Sequence, residues 1–205
     1  TDLGGFVAST FKRGVDFIYI PTTLLSMVDA SVGGKTGVDL GNLKNQIGVI
    51  NVPQMVLIDT QYLETLPQSE MRSGLAEMLK HGLIFDKNYW DKFKNLKDLN
   101  TEDLDNLIHQ SVKIKNSVVS EDLTENGIRK ALNFGHTLGH AIESYFLEND
   151  SKTQLLHGEA IAIGMILESF IAMEKGLLTQ ADYIEIKNCI QSIYETIVFD
   201  EKDID

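Results

Sequence analysis

Residues 129–144, RKALNFGHTLGHAIES, carry two imidazoles four positions apart, each directly after a glycine. Four residues make about one helical turn, so a helix here projects His136 and His140 from the same side. At about 100° per residue, Arg129, Asn133, His136, His140 and Glu143 fall within an arc of roughly 80°. Leu132, Phe134, Leu138, Ala141 and Ile142 lie mostly off it, which leaves a narrow polar stripe on an apolar body. A solvated helix face with two histidines has this pattern, and so does a metal site. A second stretch, SGLAEMLKHGLI (73–84), sets Glu77, Lys80 and His81 at helical spacings among apolar neighbours. A surface ion pair is the plain reading. The apolar flanks argue that Glu77 and Lys80 are partly buried and each needs a partner. A third stretch, LLHGEAIAIGMIL (155–167), puts His157 at the start of a strongly apolar helix, as a cap or as a neutral metal ligand. Together, Glu77, His136, His140 and His157 are a carboxylate-and-imidazole set that suits zinc with an open position for a substrate oxygen. Spacing alone pairs His136 with His140 and leaves Glu77 or His157 as the third ligand. His81 and His109 read as structural.

The stretch VDASVGGKTGVDLGNLKN (28–45) adds Gly33, Gly34, Gly37 and Gly41, two lysines and two aspartates. Glycines let backbone amides approach an anion and lysines supply point charge, so a phosphate loop and a plain surface loop both fit. The spaced upstream glycine of a Walker A loop is missing.

These residues need elements to hold them. Residues 3–13 read as a helix, DFIYIP (16–21) as a short buried strand, and TTLLSMVDAS as a helix capped by Thr22 or Thr23. QIGVI and QMVLID read as further strands, with 33–45 as a glycine-rich loop between. After Pro67, helical patterns run at 68–84, 102–119, 126–146, 157–175 and 180–196. The expected fold class is α/β plus all-α, with residues 1–61 belonging to a parallel-sheet domain and 62–205 to a helical one.

Bulk composition narrows the function classes. The chain has 205 residues, 43% of them apolar, and a formal charge of -12. That charge argues against a nucleic-acid partner, since phosphate neutralisation needs clustered base, but a local lysine cluster can still meet a phosphorylated small substrate. No apolar run reaches the roughly 20 residues of a membrane helix. The single cysteine, Cys189, precludes an internal disulfide and fits a reducing, cytoplasmic setting. The first residue is Thr1 and the charged tail FDEKDID has no closing element, so the chain reads as part of something longer.

Four stretches in order, PTTLLSMVDASVGGKTGVDLGNLKNQIG, GLAEMLKHG, IRKALNFGHTLGHAIE and LLHGEAIAIGM, resemble the 3-dehydroquinate synthase group of the sugar-phosphate cyclases. The resemblance implies part of a Rossmann-like nucleotide-binding domain followed by a mainly helical metal-binding domain. It implies a carbon–oxygen lyase of the shikimate pathway that converts 3-deoxy-D-arabino-heptulosonate 7-phosphate to 3-dehydroquinate and phosphate. The implied route is oxidation, phosphate elimination, reduction and intramolecular aldol closure, with NAD and a divalent metal, zinc or cobalt.

It also implies roles. The metal ligands match Glu77, His136 and His157, whereas His140 faces the phosphate end of the substrate. Lys35, Asn45 and Asn133 hold the phosphate, Lys80 meets substrate near the metal, and Lys115 and Arg129 meet the carboxylate. Asp29 lies near the nicotinamide. Asp2, Thr22, Thr23, Lys35, Lys44 and the segment Tyr62, Leu63, Glu64, Thr65 belong to the cofactor side. Arg13 reaches the phosphate of the neighbouring subunit, so the resemblance implies a homodimer. It places a glycine-rich pyrophosphate turn before Thr1 and a late lysine after Asp205, and therefore an inactive chain when these are missing. The rival readings are a sister cyclase of the 2-deoxy-scyllo-inosose synthase type and a metal-dependent polyol dehydrogenase.

Overall fold

The computed structural model describes residues 1–41, 43–94, 101–149, 152–197 and 199; the side chains of residues 43, 44, 101 and 102 also lie outside the described set. Contacts divide the chain into two compact units, 1–134 and 135–205.

The first unit opens with helix α1 (Asp2–Thr10) and a tight turn, Phe11–Arg13, whose Lys12 and Arg13 take positive φ. Strands β1 (Ile18–Tyr19) and β4 (Met55–Val56) pair in parallel, Ile18 with Met55 and Tyr19 with Val56. Both are shorter than their apolar runs. Between them a helical turn of π geometry, Ser26–Ala30, is anchored by Thr23. The Thr23 hydroxyl accepts from the Ser26 amide and the Ser26 hydroxyl accepts from the Thr23 amide, both at 3.2 Å, a reciprocal cap.

The glycine-rich stretch 33–45 is not a loop. It forms most of an antiparallel hairpin, β2 (Lys35–Leu40) and β3 (Leu43–Ile50), with Thr36 opposite Val49 and a register shift between Val38 and Leu40. In the sequence, the pair GN at 41–42 between alternating residues is a hairpin signal that the glycine count obscured.

Helices α2 (Gln68–Phe85), α3 (Lys87–Phe93) and α4 (Thr101–Glu121) complete this unit with a 3-10 turn, Ile128–Asn133. Pro67 starts α2, and the Asp86 carboxylate accepts from the Tyr89 amide to start α3. Helices α2 and α4 pack on the Ser26–Ala30 turn. That packing binds the helices before residue 135 to the α/β part, so the compact units part well beyond residue 61. The core holds Leu24, Met27, Val28, Met78, Leu79, Tyr89 and Phe93.

The second unit contains α5 (His136–Glu148), α6 (His157–Glu174) and α7 (Gln180–Gln191). The helix expected across 126–146 is broken, because Gly135 sits at φ +79°, where a side chain is strained. Arg129 and Asn133 therefore leave the stripe and belong to the first unit. Only His136, His140 and Glu143 share α5.

Candidate active site

In the first unit, Lys80, Lys115 and His81 gather around the carboxylates of Asp29 and Glu77. Lys115 on α4 donates to both the Asp29 carboxylate and the Asp29 carbonyl at 2.5 Å. Burial opposes ionisation of Asp29, but the ammonium groups of Lys115 and Lys80 outweigh it. They hold this carboxyl well below the usual carboxylate range. Glu77 and Lys80, one turn apart on α2, are fully buried and ion-paired. His81, the residue after Lys80, is also fully buried, with Nδ1 2.8 Å from the Ser111 hydroxyl of α4. Asp29, Glu77 and His81 bring ligand atoms within 4.8 Å of one another. His81, expected to be structural, is buried against Ser111, and His109 is exposed on α4.

Arg129, 4% exposed, is held by backbone. Its guanidinium donates to the carbonyls of Leu123 (2.6 Å) and Gly33 (3.2 Å), and burial lowers its pKa from the usual arginine value. Lys35, at the start of β2, is half-exposed and paired with Glu125. Burial first, then repulsion from Arg129 and Lys115, pushes its pKa down. Asn133 donates to the other oxygen of the same Glu125 at 2.5 Å. Asn45 is exposed at φ +53°, its amide held by Asp39 at 2.8 Å. The side chain of Lys44 lies outside the described residues.

The residues expected on the cofactor side sit as follows. Thr22 and Thr23 line a cleft of about 370 Å³ beyond β1, together with Gly4, Tyr19 and Ser26. Such clefts at the carboxyl ends of parallel strands are where α/β sheets bind ligands. Asp2 is the first residue of α1 and is exposed. Tyr62, Glu64 and Thr65 are exposed on a 3-10 turn capped by Asp59, while Leu63 is part of the core. Arg13 is exposed.

The second unit gathers imidazoles. His136, His140 and His157 bring ring nitrogens within 4.8 Å of one another, with ring centroids 5.1 to 5.6 Å apart. Three glycines allow α5 and α6 to approach this closely. A Cβ on Gly164 would collide with the Gly135 carbonyl, and one on Gly139 would lie 3.0 Å from the Ala160 carbonyl. Glu168 of α6 accepts from the amides of Gly135 (2.8 Å) and Leu138 (3.3 Å), capping α5 with a carboxylate from its neighbour. Glu143 reaches Nδ1 of His157 at 3.4 Å, a placement that would fix the ring's tautomer if it held a cation. His136 and His157 are partly buried and His140 is exposed. The donor set fits zinc or cobalt: clustered imidazoles, one steadied by a carboxylate.

Sequence reasoning missed Glu125, Glu168 and Ser111. Glu125 lies in a turn-rich run, EDLTENG, where no periodicity marks a side chain as inward-facing. The other two look like ordinary polar helix positions.

Comparison with known proteins gives a consistent result. Residues 1–73 match the family described as 3-dehydroquinate synthase N-terminal, and residues 74–205 match 3-dehydroquinate synthase C-terminal. A 3-dehydroquinate synthase of Streptococcus pyogenes serotype M49 (strain NZ131) is 50% identical over 182 residues, 88% of this chain and 50% of that protein. One from a Nitratiruptor species is 47% identical over 204 residues, 98% of this chain and 57% of that protein. Among solved structures, 2-epi-5-epi-valiolone synthase from Streptomyces hygroscopicus subsp. jinggangensis 5008, with NAD+ and Zn2+ bound, aligns with a TM-score of 0.87 at 31% identity. That alignment covers 97% of this chain and 56% of the other. A 2-deoxy-scyllo-inosose synthase complexed with carbaglucose-6-phosphate, NAD+ and Co2+ aligns at 0.79 and 32%, covering 93% and 52%. The chain spans about half the length of the curated relatives it matches.

Proposed function

This chain belongs to the 3-dehydroquinate synthase family, and from that premise we propose that the complete protein converts 3-deoxy-D-arabino-heptulosonate 7-phosphate to 3-dehydroquinate and phosphate. The observation that carries the reading is the cation cluster of the first unit: Arg129 is held on the Gly33 carbonyl beside the start of β2, and burial first, then repulsion from Arg129 and Lys115, lowers the pKa of Lys35. Such crowding is partly offset by Asp29 and Glu125 and makes the site attractive to an anion with several charges. A substrate with a phosphate at one end and a carboxylate at the other supplies that charge twice.

The roles divide by chemistry. Lys35, Asn45 and Asn133, with His140, hold the phosphate; Lys115 and Arg129 hold the carboxylate, and Lys80 holds a hydroxyl. Glu77, His136 and His157 hold the divalent cation. Thr22, Thr23, Asp2, Lys44 and the Tyr62–Thr65 turn hold NAD, with Asp29 near its nicotinamide. When bound, the cation polarises a substrate hydroxyl and NAD accepts and returns a hydride. The chain's own residues then fix one substrate conformer, so that elimination and ring closure start from an oriented state. A homodimer with Arg13 reaching the partner's phosphate site, in the cytoplasm, completes the reading.

The sister cyclases have the structural likeness, but their neutral sugar phosphates offer no carboxylate for Lys115 and Arg129. A polyol dehydrogenase of similar build would accumulate NADH. The test is phosphate release from the heptulosonate phosphate by the complete protein, with and without chelator. Release that stops on chelation and returns with zinc or cobalt is expected, without net NADH. Glu77→Ala should lose cation and activity together; full metal content in that variant would remove Glu77 from the ligand set.

A further inference from the structure

Glu125 is engaged where an anion belongs. Its Oε2 pairs with Lys35 and its Oε1 accepts from Asn133 Nδ2 at 2.5 Å. These are two of the groups read above as phosphate ligands, and the inference rests on that reading. One carboxylate thus uses an ammonium and an amide that two oxygens of a phosphate would use.

The placement is built. Asp122 accepts from the amides of Asn126 (3.0 Å), Gly127 (2.7 Å) and Arg129 (3.1 Å), folding the turn back on itself. Within that turn Glu125 stands at φ +61°. A non-glycine residue in this region is uncommon and strained, and it persists where surrounding contacts impose it. The Glu125 side chain is 18% exposed although its turn is on the surface. The strain and the inward aim both serve the contact with Lys35 and Asn133.

We infer that Glu125 is an internal competitor for the phosphate site, a specificity-determining residue whose carboxylate must be displaced from Lys35 and Asn133 before ligand binds. The chemistry sets the selection. A tethered carboxylate has a high effective concentration, so a free carboxylate, which offers the same charge and the same two oxygens, gains nothing by replacing it. A phosphate dianion brings more charge and a third oxygen, and it can displace the tether. The half-exposed Lys35 is the group that exchanges partners. By contrast, Lys115 is held to both the carboxylate and the carbonyl of Asp29.

The experiment is titration calorimetry of inorganic phosphate into the complete protein loaded with NAD and zinc, with acetate added as competitor. Wild type should bind phosphate and ignore acetate. Glu125→Gln removes the charge with little change in shape. Glu125→Gly removes the side chain and relieves the positive φ, so it tests the idea in a variant expected to fold at least as well. Both should bind phosphate about three- to fivefold more tightly, the scale of one partly exposed ion pair, and acetate should begin to compete. Unchanged or weaker phosphate binding in both variants would overturn the inference, because Glu125 would then be a support for Lys35 and not its competitor. Lys35→Met tests the underlying reading separately. Wild-type phosphate binding that survives this change removes Lys35 from the anion site, and the role of Glu125 falls with it.

Discussion

Gly164→Ala changes one hydrogen to a methyl group, yet it should disturb the imidazole cluster through the backbone that precedes His136 and His140. An added Cβ would run into the Gly135 carbonyl oxygen, 2.8 Å from the Gly139 amide nitrogen and 2.9 Å from the Gly135 carbonyl carbon. All three are backbone atoms at the start of α5, so no side chain can swing away and the helices must separate. Overpacking of this kind costs about 1–3 kcal/mol, and the rigid contacts place it near the top of that range. Alanine's higher helix propensity returns about 1 kcal/mol. The net is about 2 kcal/mol of destabilisation, or roughly 4–8 °C in the melting of a chain this size. Separation of α5 from α6 also parts His157 from His136 and His140, and cation affinity should drop at least about tenfold, the scale of losing an orienting contact. Differential scanning calorimetry reads the first effect and the d–d absorption of added cobalt(II) the second. Gly4→Ala is the control: nothing lies within 4 Å of its Cβ, so it should be neutral or mildly stabilising. If Gly164→Ala melts with wild type and binds cobalt(II) equally well, close helix approach does not position the histidines.

Two further predictions concern charge. Asp29→Asn leaves the buried Lys115 ammonium without its counter-charge, a loss of about 2 kcal/mol, between the values for exposed and buried pairs. Asp29 has a lowered folded pKa, so its contribution is whole above the unfolded value near 4 and is lost as pH falls through the folded one. The stability gap between wild type and Asp29→Asn should therefore hold from pH 7 to 5, start to narrow only below about pH 4, the unfolded value, and persist in part at pH 3 in urea titrations; a gap that already narrows between pH 7 and 5 contradicts it. Glu143→Gln should weaken cation binding about tenfold by loosening the His157 ring, with Glu143→Asp in between. Equal cobalt(II) affinity in all three proteins would assign Glu143 a purely structural role.

Legibility in the sequence tracked the range of the interaction. The helices at 68–85, 157–174 and 180–191 follow from apolar spacing and nearby start signals, all within a few residues. The break at Gly135 did not show, because LNFGHT continues a helical apolar pattern. What breaks it is close packing against Ile161 and Met165, which are distant in sequence. The residue types of the site were visible: lysines beside glycines, a carboxylate amid apolar residues, histidines one turn apart. Their pairings were not. Lys115 finds Asp29 across 86 positions and Asn133 is turned toward Glu125 by a surface turn, and no periodicity encodes either. His81 shows the same limit, since a helix pattern says which residues share a face but not which face meets α4 and Ser111.

The counter-charges in the first unit bear on how the proposed anion site can stand empty. Ion pairs away from water add little net stability and are replaceable by apolar packing, so stability alone gives no reason to bury Lys80, Lys115 and Arg129. Binding of the proposed doubly anionic substrate would give one. With substrate absent, each of these bases must be neutralised by the protein or it will pull the fold apart or lose its proton. Glu77, Asp29, the backbone carbonyls of Gly33 and Leu123, and Glu125 supply that neutralisation. They do so at different strengths. The Glu77–Lys80 pair lies along one helix, and Lys115 has two acceptors on Asp29. Lys35 meets a single carboxylate presented by a strained surface turn. If all the bases were held as firmly as Lys115, substrate would have to break several strong contacts to enter, and binding would be weak. If none were held, the cations would repel one another. The arrangement is graded, and Lys35 is the most exposed of the described bases in this group; on the proposed reading, the phosphate end would therefore engage first, at Lys35, and the carboxylate end second, at Lys115 and Arg129.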